Sequence, residues 1–282
     1  MRKSRRISFL ALPYGVYAMI FILAPILLIL FYSLFYQGSK GFAFTLDHFI
    51  KFFNFREPVY MQVLLRSVKT ALISTVICLI FGYPMAFILS RMRPSVRNMV
   101  SFLFVLPMWM NFLLRTYAWM TLLENTGVIN TLLASIGLPP VNIMYTEGAV
   151  IFGNVYNFLP FMILPIYNVL IKIDKSLIEA AGDLGANFVK TFIRVIFPLS
   201  LPGVTSGITM TFMPAVTTFI ISKLLGGGQN AQIGDLIEKQ FKSVGDWGFG
   251  SAMSVILMIM ILIAAGFMNS YEKEKSAGGV LL

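Results

Sequence analysis

Charge is scarce in this sequence. Only 12% of its 282 residues are Asp, Glu, Lys or Arg, while 57% are hydrophobic. A soluble domain usually carries about 25% charged side chains, so that class is excluded. There is one cysteine, Cys78, and one histidine, His48. Neither a disulfide framework nor a metal site can be built from them, and no metal or other cofactor is expected. The long apolar runs hold no Asp or Glu, whereas ion-coupled secondary transporters and channels use buried carboxylates. With no clustered acids and no acid–base pair, a membrane enzyme has nothing to make a site from; no catalytic residue is assigned. A phosphate-binding loop is missing as well, because Gly226-Gly227-Gly228-Gln229 lacks the lysine that reaches a phosphate. Energy for uphill transport must come from another subunit.

What is present is a set of six apolar runs near Tyr14–Tyr36, Leu64–Ser90, Met99–Leu123, Gly148–Ile171, Leu199–Leu225 and Gly250–Ser270. Each is near or above ~18 residues, enough for a helix to cross a hydrocarbon core of ~30 Å. The first run is too long for a signal-peptide core and is read as a retained span. The expected fold class is therefore an all-α polytopic membrane protein with six transmembrane helices, residues 1–282 forming a single transmembrane domain.

The net charge of +10 is not distributed like a nucleic-acid surface. Arg2, Lys3, Arg5 and Arg6 precede the first span; Arg91, Arg93 and Arg97 lie between the second and third. Lys172, Lys175, Lys190, Arg194, Lys273 and Lys275 fall on the same side, while Glu124–Glu147 holds no Lys or Arg. By the positive-inside rule both termini are cytoplasmic, N-in and C-in. Nucleic acid is not an expected partner, and membrane lipid is.

Between the first two spans, residues 37–63 carry Phe42, Phe44, Phe49, Phe52, Phe53 and Phe55. Such aromatics lie in the interfacial belt of a membrane or touch an outside partner. Pro84, Pro107, Pro160, Pro165, Pro202 and Pro214 interrupt the later spans. Prolines kink membrane helices, either for packing or along a transport path. Gly203 and Gly207 match the small-xxx-small pattern of close helix approach.

The cytoplasmic segment 172–198 is the most informative. Asp174 stands where a helix N-cap belongs, ahead of Lys175-Ser176-Leu177-Ile178-Glu179. Ile178, Ala181, Leu184 and Gly185 recur at helical spacing and give a small-residue face. An ordinary surface helix would carry longer side chains, so this composition points to a surface on which another protein docks.

Glu179-Ala180-Ala181, Gly185, Val195, Phe197 and Pro198 match the EAA loop of ABC-importer permease subunits, and the chain resembles that family. Val195 and Phe197 replace its usual Ile and Leu. Leu106–Tyr117, Asn157–Pro165, Glu179–Pro198 and Asp246–Gly250 are similar to permeases of spermidine/putrescine importers, and the likeness runs from the first span through the sixth. It implies a type I ABC importer permease fold in a bacterial plasma (inner) membrane, crossed many times. It implies three kinds of protein partner: a cytoplasmic ABC ATPase dimer, a second related permease, and an extracytoplasmic solute-binding protein. It also implies that 172–198 is the coupling loop, with Glu179, Ala180, Ala181, Gly182, Asp183 and Gly185 forming the ATPase contact. The cargo implied is a polyamine; importers of other small solutes share much of the pattern.

A polyamine seeks carboxylates and aromatic faces. Candidate path residues are Trp109, Asn111, Tyr117, Trp119, Glu124, Asn157 and Asp246. Each has a plainer reading: interfacial anchoring or packing for the aromatics, ordinary loop charge for Glu124 and Asp246. Asn111 and Arg115 stand four apart, on one helical face. Arg115 would repel a cation, and pairs instead with a neighbouring chain's carboxylate or with loop carbonyls.

Overall fold

In hydrocarbon every backbone N–H and C=O must find a partner within its own segment, which favours helices. A computed structural model of the chain describes residues 12–38, 41–54, 56 and 58–278. Arg2, Lys3, Arg5, Arg6 and Phe55 lie outside the described residues. Five helices are long and apolar enough to cross a membrane, and a sharply bent pair makes a sixth if it serves as one span. The chain packs into two compact units, one from Met1–Met61 and Leu236–Leu262, the other from Gln62–Asp235 and Ile263–Leu282.

The first unit opens with α1, Pro13–Leu34, whose Met19–Leu23 turn is widened to π geometry ahead of Pro25. Proline lacks an N–H and crowds the carbonyl four residues back, and a wide turn relieves both. Helix α1 ends earlier than the apolar run, because Phe35–Gly38 forms β1 and pairs with β2, Gly41–Phe44. The register sets Phe35 opposite Phe44 and Gln37 opposite Phe42. These two strands are the departure from an all-α chain among the described residues, and aromatic side chains favour them. Helix α2, Asp47–Phe52, follows. Phe52 and Phe249 are buried here, with Tyr60 packed on both at ring separations of 6.3 and 4.8 Å.

The second unit contains most of α3, Val59–Arg91. Ser67, Ser74 and Thr75 each donate to the carbonyl four residues earlier, at 2.7–2.9 Å. The Ser67 hydroxyl also accepts from the Ile233 amide at 2.8 Å, so it serves two backbone groups at once.

The apolar run expected as one third span is two helices, α4, Pro94–Trp109, and α5, Phe112–Leu123. Helix α6, Val128–Ser135, follows α5. The bend between Pro94–Trp109 and Phe112–Ser135 is 93°. Two residues cause it. Pro107 weakens the last turn of α4, and Asn111 starts a new helix by accepting from the Leu113 and Leu114 amides at 2.8 and 3.3 Å.

Helix α7 is Glu147–Leu170, α8 is Lys175–Asp183 and α9 is Phe188–Thr217. The run expected to continue to Leu225 breaks at Thr218, where the backbone is extended, and α10, Ile220–Leu225, is separate. Helix α11 is Ile233–Lys239, and α12, Trp247–Gly278, is shared between the units.

The most extensive helix packing in this unit joins α7 to α9. A Cβ added at Gly203 would stand 2.9 Å from the Pro165 oxygen and 3.0 Å from the Ile166 Cα; one at Gly207 would stand 2.8 Å from the Met162 Sδ. Both glycines are thus required by contact. Helix association in lipid has little hydrophobic drive and rests on such close packing. Gly203→Val is expected to cost about 1–3 kcal/mol by overpacking, seen as a lowered midpoint of thermal unfolding in detergent, whereas Gly266→Val, with open space around it, should leave the midpoint unchanged.

Candidate functional site

Segment 172–198 folds as a helix, a tight turn and a second helix, and each junction has a named cause. Asp174 Oδ1 accepts from the Ser176 amide at 3.0 Å and caps α8. That hydrogen bond holds the Asp174 carboxyl below its ordinary range. At the other end the Ala186 amide donates to the Ala181 carbonyl at 2.9 Å, and the Gly185 amide to Gly182 at 2.8 Å. This is a Schellman stop, which needs a left-handed residue; Gly185 supplies it at φ +78°. Nothing lies within 4 Å of a Cβ built there, so the backbone conformation alone selects glycine.

Asn187 then accepts from the Lys190 amide at 2.9 Å and starts α9. The first turns of α9 widen at Phe192–Ile196, just ahead of Pro198.

No residue of α8 is buried. Ile178 packs toward the core around Tyr83 and Ile196, and Ala181 is half-buried. Leu184, the capping residue at which the chain reverses, is 89% exposed. Glu179, Ala180, Gly182, Asp183 and Gly185 are exposed together along this element. Exposed Leu177 and Leu184 add apolar area beside them.

Glu179 also lines a cleft of about 460 Å³ with Arg91, Arg97 and Lys175. The Arg91 guanidinium lies 4.8 Å from the Phe87 ring centroid and 6.0 Å from that of Phe188. Glu179 makes no ion pair among the described residues. This basic neighbourhood was legible as an orientation signal only; that Arg91 and Arg97 fold against Glu179 needed the tertiary structure.

The candidate path residues do not form one cluster. Trp109 is 74% exposed at the end of α4, edge-on to Phe102. Asn111 spends its oxygen on the α5 cap and is exposed, while Arg115 is buried, so the two do not share a face. Tyr117 is half-exposed. Trp119 packs edge-on against Phe152 and Tyr156, at 4.7 and 5.1 Å. The Glu124 carbonyl closes the turn before α6 by accepting from Gly127 at 2.7 Å. Asn157 is buried in α7, donates to the Gly153 carbonyl at 2.9 Å and leaves its oxygen unpartnered. Its neighbour one turn away, Asn154, is buried with both amide atoms unpartnered.

Asp246 belongs to the first unit. Its Oδ1 accepts from the Phe249 amide at 2.9 Å and caps α12; its Oδ2 faces Lys51 Nζ at 3.5 Å. Around it lies a cavity of about 530 Å³ lined by aromatic side chains that include Tyr32, Tyr36, Phe42 and Trp247. Sequence reading singled out Asp246 and noted Phe42 and Trp247 separately, but not that Tyr32, Tyr36 and Phe42, about 200 residues away along the chain, gather around it.

The profile of a family described as "binding-protein-dependent transport system inner membrane component" matches residues 78–275. The spermidine/putrescine transport system permease protein PotB of Escherichia coli is 40% identical over 247 residues, covering 86% of this chain and 89% of that protein. The protein of the same name from Haemophilus influenzae is 42% identical over 248 residues, covering 86% of each. A bacterial ABC transporter involved in the import of the acidic polysaccharide alginate shares the fold with a TM-score of 0.76 at 19% identity, covering 97% of this chain and 96% of that one.

Gly185→Ala should destabilise the end of α8 by about 1 kcal/mol, read as faster amide hydrogen exchange over Ala181–Ala186; Gly185→Asn should lose less. The Asp174 cap has the sign of a depressed carboxyl. Its contribution is present above the unfolded carboxyl's pKa, about 3.9, and is lost as pH falls through the lower folded value. Protection of the Ser176 amide, taken relative to its intrinsic exchange rate at each pH, should fall in that acid window and stay flat in Asp174→Asn, whose side chain caps without titrating.

Proposed function

Since this chain belongs to the family of binding-protein-dependent transport system inner membrane components, we propose that it forms the path for a polyamine in an ATP-driven importer. As a transport permease subunit it is not an enzyme. Residues 1–282 act as one permease domain, and ATP is hydrolysed by a separate pair of cytoplasmic subunits. A second, related permease supplies the other wall of the path, and an external binding protein delivers the cargo. Both termini face the cytoplasm, which the placement of basic residues favours. That orientation sets 172–198 on the inside and residues 35–58 and 245–248 on the outside.

The observation that carries the coupling role is the rigid, exposed helix-turn element from Asp174 to Pro198. Its ends are fixed by two caps and a Schellman stop, while Glu179, Ala180, Gly182, Asp183 and Gly185 stay open to a partner and Ala181 is half-buried beside them. Small side chains let a partner's surface approach the backbone, and Leu184 offers an apolar anchor. Closure of the ATPase pair moves this element, and only a difference in binding between the two states drives the shift.

The cargo rests on the alignment with the two spermidine/putrescine permeases. Trp109, Tyr117 and Asp246 are the path candidates best placed to meet a cation, being exposed aromatics or a partly exposed carboxylate. Asn111, Trp119, Glu124 and Asn157 support them mainly through caps and packing. Import of a different small solute is the second reading, favoured by Arg115, a buried cation with an unpartnered Nε.

The test is ATP-dependent uptake of labelled spermidine and putrescine by the reconstituted importer with its binding protein. Uptake is expected, and Glu179→Lys should lower it at least about tenfold while the complex still assembles, because charge reversal at an interface is costly. Brisk ATP hydrolysis with uptake of neither polyamine would overturn the cargo.

A further inference from the structure

The first unit contains a constellation that capping and packing do not fully use. Asp246 needs only Oδ1 to cap α12. Asp246 also lines the 530 Å³ cavity bordered by Tyr32, Tyr36, Phe42 and Trp247, a volume in the range of small-molecule sites. His48 borders the same cavity, its ring held against Gly248, and its Nε2 is buried without a partner. A carboxylate and several π faces together suit an organic cation.

One such cation is already there. Lys51 Nζ lies 3.5 Å from Asp246 Oδ2 and 4.2 Å from the centre of the Phe249 ring. A primary ammonium thus occupies a carboxylate-and-aromatic seat at the margin of the cavity. The pair is long and its lysine side chain is half exposed, so its net worth is small and it is open to exchange.

We propose that this pocket is a receptor for an alkylammonium group of the cargo, in which an incoming ammonium displaces Lys51 from Asp246 and lies against Trp247 and Tyr36. The inference rests on the polyamine reading for the identity of the cargo, but its geometry requires only an organic cation. In the orientation above, the pocket opens on the outer face, where cargo arrives. Lys51 then acts as a built-in competitor that keeps the seat weak enough for release.

The two charged residues must respond with opposite signs. Asp246→Asn keeps an N-capping side chain but removes the charge, and should weaken binding about tenfold, the loss of one charge-assisted contact. Lys51→Met keeps the packing on Phe249 but removes the competitor, and should strengthen binding a few-fold. The measurement is equilibrium binding of labelled putrescine, and separately of tetramethylammonium, to the intact importer complex in detergent without ATP. Opposite shifts in the two variants support the pocket. Shifts of the same sign, no shift, or no binding of either probe by the unsubstituted complex would overturn it. If tetramethylammonium binding shows the opposite shifts while the unsubstituted importer takes up no polyamine, the pocket stands and the polyamine reading falls. If polyamine uptake is brisk and neither variant alters binding, the pocket falls and the cargo stands.

Discussion

The contact between α7 and α9 is the one on which the second unit depends. At Gly203 and Gly207 the α9 backbone comes so near to Met162, Pro165 and Ile166 that no side chain fits between. Lipid offers little reason for two apolar helices to prefer each other over acyl chains, so the approach itself supplies the cohesion. Pro160, Pro165 and Pro202 lie inside these helices without ending them. The same pair is joined by residues 171–187, which hold α8. Helix α8 is therefore suspended from this closely packed hairpin.

Under the proposed coupling role, that arrangement decides how force on α8 is passed on. Tyr83 of α3 meets Ser200 of α9 at 2.8 Å, and the Phe192 and Phe197 rings lie 5.8 and 5.7 Å from the Tyr83 ring. Ile178 of α8 packs on the same cluster. A push on α8 thus meets close-packed side chains, which shift as blocks because interiors are dense. The Schellman stop at Gly185 fixes the angle at which α8 hands over to α9. A rigid joint there conveys motion to the spans; a loose one dissipates it.

Much of this was legible in sequence, for reasons of period and charge. Apolar runs long enough to span, the Asp174 cap and the close-approach pattern at Gly203 and Gly207 are local signals, each within a few residues. What escaped was what depends on competition between neighbours. The apolar run 99–123 looked continuous, yet Pro107 and the capping power of Asn111 break it, and that break puts Asn111 and Arg115 in different surroundings. Ile178 was grouped with the docking face, yet it packs toward the core around Tyr83 and Ile196. The hairpin at 35–44 was hidden inside an aromatic stretch that also suits an interfacial belt. The cavity around Asp246 joins residues from both ends of the chain, a proximity that no pattern in the sequence encodes.

The central claim is that the exposed face of α8 and its turn seats a cytoplasmic ATPase. Cys78 is buried, so it is shielded from reagents, and Leu184→Cys would present a single accessible thiol. Maleimide labelling of that thiol, with and without the ATPase subunits assembled, tests the claim directly. Labelling slowed at least about tenfold on assembly is the expected result, since anchors of an interface are shielded from water. Unchanged labelling in a complex that hydrolyses ATP and imports its cargo would contradict it.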